Sequence, residues 1–275
     1  MKIKAVCTDI DGTLLNKDRA LSSRTTDVIR LIKERVPVVL ASSRMPSAMT
    51  HLQKELGIEQ HPMICFNGGY VLFKGPGATT FSILDSVMIP KAIGAAVLEV
   101  TRGSTIHVSL FSGDEWYAAA EDQWTSREAF ITKVSPLIHP LADVIHQWER
   151  AGSGIHKIMC MGDASEIDGL CDLLFKNYSS DIHLYRSKNT YLEIAPKTIS
   201  KSSALRYVMQ EKFGLTLSEV MAFGDNFNDV DMIRDVGMGI AVANAIDEVK
   251  NVANEITSSG KEDGVAIALE KYFLA

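Results

Sequence analysis

The stretch Ile3-Lys4-Ala5-Val6-Cys7-Thr8-Asp9-Ile10-Asp11-Gly12-Thr13 decides how the rest of the chain is read. A short apolar run ends in two carboxylates two residues apart, and then in a glycine. A near-continuous run of this kind belongs to a strand covered on both faces, as in a parallel sheet. Ligands of an open parallel sheet bind just beyond the carboxyl ends of its strands, so Asp9 and Asp11 stand where a site belongs. In extended backbone, residues two apart point the same way, and both carboxylates face one crevice while Gly12 lets the chain turn away. Two carboxylates this close repel one another, which raises one pKa unless a cation compensates. One can therefore be a nucleophile at a metal while its neighbour carries a proton. A calcium loop starting at Asp9 needs glycine where Leu14 stands and glutamate where Ala20 stands, which excludes that reading.

Outward from this stretch, strands and helices alternate. Strands are expected over Ile3–Thr8, Pro37–Ala41 and Pro62–Phe66, with helices over Ser23–Glu34 and Pro46–Leu56 between them. The style returns late in the chain. There helices are expected over Ser200–Phe213, Asn228–Asp235, Ile246–Ala253 and near Asp263–Tyr272, around strands Val220–Phe223 and Met238–Ala241. Strands joined by single helices imply right-handed crossovers and a parallel sheet. Between the two stretches the pattern changes. Tyr70–Phe81 reads as a hairpin turning at Lys74-Gly75-Pro76-Gly77. Beyond it, helices (Pro90–Thr101, Asp163–Asn177) mix with alternating strands (Thr105–Leu110, Ile155–Met161). The expected fold class is α/β: a doubly wound parallel, Rossmann-like sheet core from residues 1–83 and 188–275, with an inserted α+β domain at 84–187. That insertion is of ordinary domain size.

A second polar cluster, Phe223-Gly224-Asp225-Asn226-Phe227-Asn228-Asp229, also follows an apolar run. Asp225, with Asn228 and Asp229 a turn later, makes an oxygen-rich group suited to a hard cation such as Mg2+. Alone, these residues read equally well as a helix cap; beside carboxylates at another strand end, they read as a site. Ser42-Ser43-Arg44 follows the second strand and places a hydroxyl and N–H groups at the start of a helix, where anions are favoured. Pro46 there is also what a plain helix start carries. Lys201 falls in a first helical turn, where its charge opposes the dipole, so it needs a reason to be there beyond an ordinary solvated lysine. His107, His156 and Trp116 read as packing or surface residues. Gly237-Met238-Gly239 precedes a strand rather than a helix and is no dinucleotide loop.

In chain order, Asp9-x-Asp11-Gly12-Thr13-Leu14, Ala41-Ser42-Ser43-Arg44, Glu193-Ile194-x-Pro196…Ser200-Lys201-x-x-Ala204-Leu205 and Gly224-Asp225-Asn226-x-Asn228-Asp229 resemble the four motifs of the haloacid dehalogenase superfamily. The branch they resemble is the Cof-like one, the capped sugar-phosphate phosphatases, and the likeness spans nearly the whole chain. Phe66-Asn67-Gly68-Gly69 resembles a family loop near the substrate. Ser42 replaces the usual threonine, keeping the hydroxyl, while Ser43 and Ser202 stand where glycine is common and leave the backbone less free. The resemblance implies a Mg2+-dependent phosphomonoester hydrolase working through an aspartyl phosphate. Asp9 is then the nucleophile, Asp11 the acid and base, and Ser42 and Lys201 hold the phosphoryl oxygens. Metal binding falls to Asp9, Asp225 and Asp11 (through its backbone carbonyl), with Asn228 and Asp229 behind them. The insertion resembles the family's cap. Substrate contacts are expected from Ser43, Arg44, Asn67 and Gly68, and from Asn189 and Tyr191 near the cap's return. The expected partner is a small phosphorylated metabolite, a sugar phosphate by analogy.

The bulk properties narrow the rest. Over 275 residues, 46% are apolar and 23% charged, as in a globular protein with a sizeable core. A net charge of −6 gives no reason to expect nucleic acid or an anionic membrane as partner. Lys2 and Lys4 break the first apolar run, so no signal peptide is expected, and no run approaches the roughly 18 apolar residues of a spanning helix. Cys7, Cys65, Cys160 and Cys171 form no CxxC pair and read as buried free thiols of a cytoplasmic protein. Two alternatives stay open: a phosphomutase of the same superfamily, which passes the phosphoryl group to a second hydroxyl, and a non-enzymatic phospho-acceptor or binding protein. Receiver-type phospho-acceptors also place Asp, Ser/Thr and Lys at parallel strand ends, but have no counterpart of Asp11 or of the insertion.

Overall fold

The first apolar run forms β1 (Ala5–Thr8), every residue of it buried. In the computed structural model, which describes residues 2–274, the chain next winds through α1 (Ser23–Ile32), β2 (Val38–Ala41), α2 (Ser47–Leu56) and β3 (Met63–Cys65). Helix α1 starts where it does because the Ser22 hydroxyl accepts the Thr25 N–H (3.0 Å), meeting a donor the helix leaves unpaired. Helix α2 begins at Ser47, one residue after Pro46, because a residue that precedes proline is pushed out of helical backbone. Ser42–Arg44 therefore lie in the loop between β2 and α2, whose start falls one residue after the Pro46 expected from sequence.

β4 (Tyr70–Phe73) runs antiparallel to β3, and β5 (Ser82–Ser86) follows. The expected hairpin over Tyr70–Phe81 is displaced. The whole of 74–81 is the connection, and its β-branched Thr79 and Thr80 are exposed residues of that loop.

The middle of the chain supplies α3 (Lys91–Val100), β6 (His107–Ser112), β7 (Glu115–Ala118), α4 (Gln123–Thr132), β8 (Leu137–Ile138), α5 (Leu141–Arg150), β9 (Lys157–Met161), α6 (Ala164–Tyr178), β10 (Ile182–Lys188) and β11 (Tyr191–Pro196). The chain then returns with α7 (Lys201–Val208), β12 (Val220–Gly224), α8 (Val230–Asp235), β13 (Met238–Val242), α9 (Asp247–Val252), β14 (Glu255–Thr257) and α10 (Gly264–Phe273). Where one helix was expected over Asn228–Asp235, a 3-10 turn (Phe227–Asp229) precedes α8, because Asn226 and Asp229 cap one another's backbone.

Two units result: the described residues up to 44 with 49–85 and those from 200 onward, and residues 45–48 with 86–199. The first unit holds an eight-stranded sheet in the order β14-β13-β12-β1-β2-β3-β4-β5. Every pair from β14 to β3 is parallel. From β1 the chain winds to β2 on one side and returns to β12 on the other, which makes the carboxyl end of β1 a topological switch point. Ala5, Cys7, Val39, Ala41 and Ala222 pack against Leu205, Val208, Met232 and Ile233 of α7 and α8, while α1 and α10 pack together.

The second unit holds a six-stranded sheet, β10-β11-β9-β6-β7-β8, antiparallel except for β7 with β8. Val108, Leu110, Ile158, Cys160, Leu192 and Ile194 make its core with α3, α5 and α6. On the alternate face, His107 is bonded through Nδ1 to Asp122 (2.7 Å) and through Nε2 to Ser109 (2.8 Å), and the Trp116 indole donates to Ser109 (2.9 Å). His156 accepts the Gly113 N–H at Nδ1 (3.0 Å), so its Nε2–H donates to Ser86 (2.9 Å). All three side chains are buried, which makes them packing residues. The thiols are free; Cys7, Cys65 and Cys160 are buried, and Cys171 is half-buried. No helix among the described residues is long and apolar enough to cross a membrane.

Candidate active site

Asp9 is the first residue beyond β1, and its N–H donates to the Phe223 carbonyl of β12 (3.0 Å), so the sheet itself fixes its backbone. The side chain is buried. Lys201 Nζ donates to its Oδ1 (2.5 Å), while Oδ2 meets no hydrogen-bond donor among the described residues. Lys201 is fully buried at the first turn of α7 and donates a second bond to Asp229 Oδ1 (2.8 Å). The two carboxylates are the reason a lysine tolerates a helix start: burial works against its charge, but Asp229 and Asp9 together raise its pKa above the ordinary lysine range. Asp229 Oδ2 accepts the N–H groups of Asp225 (3.0 Å) and Asn226 (3.1 Å) and so holds the β12 loop shut.

Asp225 comes in beside Asp9 from the end of β12. The Thr13 hydroxyl donates to its Oδ1 (3.2 Å). Gly12, at φ +90°, leaves the room: a Cβ there would stand 2.2 Å from Asp225 Oδ2. The Gly12 carbonyl is anchored by the Asn244 side-chain amide (2.9 Å), whose oxygen in turn accepts the Gly260 N–H (2.9 Å).

Burial, with repulsion from Asp229 and Asp225 against relief from Lys201, raises the Asp9 pKa well above the carboxylate range. Burial and Asp229 likewise push Asp225 up to about 7, against the pull of Lys201 and Thr13.

This chemistry fits a divalent cation. Carboxylate oxygens of Asp9, Asp225 and Asp229 all lie within 4.8 Å of one another. Ionised together, three carboxylates against one ammonium would carry two uncompensated negative charges, which is why Asp9 and Asp225 hold their protons without a cation. Both oxygens of Asp229 are already engaged, so the unpartnered Asp9 Oδ2 and the carboxylate of Asp225 are the groups with capacity to spare. All are hard oxygen donors, the type Mg2+ takes.

Asp11 is a different case. Its partly buried carboxylate accepts from Arg44 at Oδ2 (Nε, 2.7 Å) and at Oδ1 (Nη2, 2.8 Å), and from Arg19 Nη2 at Oδ1 (3.0 Å). Burial pulls its pKa upward, but the hydrogen bonds and charge of Arg44, with Arg19, outweigh it and hold the group below the usual range. With its carboxylate occupied by guanidinium groups, Asp11 can offer a metal only its main-chain carbonyl.

Ser42 follows β2, buried, and its Oγ accepts the Arg44 N–H (3.3 Å); Ser43 beside it is half-buried. Asn67 and Gly68 form a left-handed turn (φ 57° and 110°) tied to this loop by Asn67 N–H donating to the Ser42 carbonyl (3.0 Å). The Asn67 side chain accepts from Asn228 Nδ2 (2.9 Å), which links the Ser42 loop to the β12 loop. Asn189 and Tyr191 belong to the second unit. The Asn189 carbonyl accepts from Arg186 (2.6 Å), and the Tyr191 ring meets Trp124 edge-on beneath Arg127. Three contributors escaped sequence reading: Arg19, Asn244 and the role of Thr13. Arg19 and Asn244 carry no local signal, since their partners lie in other loops; Thr13 sits in the first motif, where its hydroxyl could have been noticed.

The profile of a known family, the haloacid dehalogenase-like hydrolases, matches residues 6–269. A Haemophilus influenzae protein whose name places it among phosphatases is 34% identical over 276 residues, covering 99% of each chain. The Bacillus subtilis 5-amino-6-(5-phospho-D-ribitylamino)uracil phosphatase YcsE is 28% identical over 273 residues, 99% of this chain and 96% of its own. Among solved structures, a haloacid dehalogenase-like hydrolase from Bacteroides thetaiotaomicron superposes with a TM-score of 0.88 at 29% identity, over 99% of this chain and 100% of that one.

Proposed function

This chain belongs to the haloacid dehalogenase-like hydrolases, and on that premise we propose that it is a Mg2+-dependent phosphatase of small phosphorylated metabolites, sugar phosphates among them, with Asp9 as nucleophile. One observation carries the reading: a buried carboxylate at a strand end has one oxygen gripped by a buried lysine and the other free of any donor. An oxygen so placed keeps its lone pairs for an electrophile or a cation.

Asp9 attacks phosphorus and takes the phosphoryl group. Lys201 has three ammonium protons and spends two on carboxylates, so the third is left for a phosphoryl oxygen. The Ser42 hydroxyl is the second holder of phosphoryl oxygens. Asp11 protonates the leaving oxygen, then takes a proton from the water that releases phosphate. Asp9, Asp225 and the Asp11 carbonyl would hold a divalent cation, which would supply positive charge to offset that of the phosphoryl group. Asp229 keeps Lys201 and the Asp225 backbone in place, and Asn228, through Asn67, ties the β12 loop to the Ser42 loop.

Recognition of the leaving group falls to Ser43, Arg44, Asn67 and Gly68. The inserted segment, 84–187, acts as a cap, with Asn189 and Tyr191 contributing at its return. A sugar-phosphate substrate is supported by the phosphoribityl compound in the name of the Bacillus subtilis relative.

Phosphate release from an aryl phosphate and a panel of sugar phosphates, with and without Mg2+, tests this against Asp9→Asn. Turnover that needs Mg2+, needs no activating bisphosphate and vanishes in the variant is the expected result. Equal inactivity of both proteins across the panel would sink it.

A further inference from the structure

The loop after the Asp9–Asp11 strand end closes on itself. The Asn16 side-chain oxygen accepts the N–H groups of Asp18 (2.9 Å) and Ala20 (3.1 Å), Asn16 N–H donates to the Ala20 carbonyl (3.0 Å), and Arg19 N–H donates to the Asn16 carbonyl (3.0 Å). This closure holds Arg19 at φ 57°, the left-handed region that glycine or asparagine takes readily and a long side chain rarely does. A residue kept in such backbone invites a functional account. Here the half-exposed Arg19 guanidinium reaches Asp11 Oδ1 (3.0 Å).

The effect on Asp11 is asymmetric. A carboxylate oxygen has two lone-pair sites. Oδ1 receives both Arg44 Nη2 and Arg19 Nη2, whereas Oδ2 receives Arg44 Nε alone. The Arg44 fork by itself treats the two oxygens alike; Arg19 adds a third guanidinium bond on Oδ1 and so limits how the carboxyl can turn.

Resting on the hydrolase reading above, we propose that Arg19 is a positioning residue: it fixes the orientation of the Asp11 carboxyl. In the first step an Asp9 oxygen bonds to phosphorus as the bond from phosphorus to the leaving oxygen breaks. That bond's electron pair stays on the leaving oxygen, which takes the proton from the Asp11 carboxyl. In the second, water attacks phosphorus, the phosphorus–Asp9 bond breaks with its pair returning to Asp9, and the Asp11 carboxylate takes a proton from the water. Arg19 acts through Asp11, the group its side chain reaches. Its absence weighs most where the leaving oxygen most needs a proton: an alkoxide leaves poorly without one, a 4-nitrophenolate leaves well.

The test is kcat/KM, which reports the steps through the first phosphoryl transfer. It is measured with Mg2+ on aryl phosphates from 4-nitrophenyl to phenyl, extended to the sugar phosphates that wild type hydrolyses. Wild type, Arg19→Gly, Arg19→Lys and Asp9→Asn are compared. In Arg19→Gly the loss grows with leaving-group basicity, and the alkyl value falls about tenfold further than the 4-nitrophenyl value, a part of the usual yield of general acid–base catalysis. Its Tm does not fall, since glycine suits the backbone, and Arg19→Lys restores part of the slope. Equal losses across the series, or no change in slope, would overturn the assignment of Arg19 alone. Wild type as inactive as Asp9→Asn would overturn the hydrolase reading, and this inference with it.

Discussion

Lys201 and the carboxylates around it show how much of this site is charge held out of water. Moving a single ion from water into a protein interior costs several kcal/mol even after relaxation, so buried ions persist only in mutually satisfied groups. Lys201 satisfies Asp9 and Asp229, but Asp225 is left with one hydroxyl donor and two carboxylate neighbours, and its pKa rises to about 7. The sign of the consequence is definite. A carboxyl raised in the folded state holds a proton that the unfolded chain has already lost between about pH 4 and pH 7, so the metal-free protein loses stability as pH rises through that window. A cation bound at the proposed site would have to displace the same proton, so Mg2+ affinity is expected to weaken as pH falls below about 7. Thermal unfolding at pH 6 and pH 8 checks both: the Mg2+-dependent rise in Tm is expected to be larger at pH 8. An equal rise at both values would show that Asp225 is ionised throughout.

At the scale of elements, the site depends on how closely loops approach one another. The turn at Phe66–Gly68 passes so near the start of α7 that a Cβ on Gly68 would stand 2.6 Å from the Ser200 carbonyl, and its φ of 110° suits glycine alone. Ser200 is also the N-cap of α7, its hydroxyl accepting the Ser203 N–H (3.0 Å), and Lys201 is the next residue. Gly68→Ala is therefore expected to push α7 and its lysine away from Asp9. The predicted result is a stability loss of about 1–3 kcal/mol from backbone strain and a fall in kcat larger than any rise in KM. Denaturant unfolding and steady-state kinetics would measure it, and unaltered kcat would show that the turn and helix do not work as one part.

Each of the two units has its own core, and all three tryptophans, Trp116, Trp124 and Trp148, lie in the second. Tryptophan fluorescence therefore reports that unit alone. His156 is buried there, and burial pushes its pKa down to about 4 from an ordinary 6.5. The unfolded chain takes up this proton first as pH falls. The stability due to the neutral ring is complete above pH 6.5 and is lost between 6.5 and 4, about 3 kcal/mol in all at 1.36 kcal/mol per unit. An acid titration of tryptophan fluorescence should show this destabilisation, and His156→Gln should flatten it. A transition of the same slope in the variant would place its origin in other groups.

β1, β2, β3, β12 and β13 of the first unit and the order of the polar clusters were legible because burial on both faces demands continuous apolar runs, and because polar residues of the candidate site follow such runs; β5 and the three-residue β14 were not. Asp9, Asp11 and Asp225 could be picked out this way, and Lys201 by a charge that opposes the dipole of the helix it begins; the four-motif likeness to the family was legible too. Most of the second unit was not legible. β8 and α4 bury so few of their own residues that no periodicity marks them. Tertiary structure alone decided which partner each charge received: that Lys201 bridges Asp9 and Asp229, and that Arg19 and Arg44 occupy Asp11. Local sequence dictates where a strand or helix ends, through apolar spacing and caps, but a hydrogen bond between residues 192 positions apart exists only once the sheet has brought two loops together.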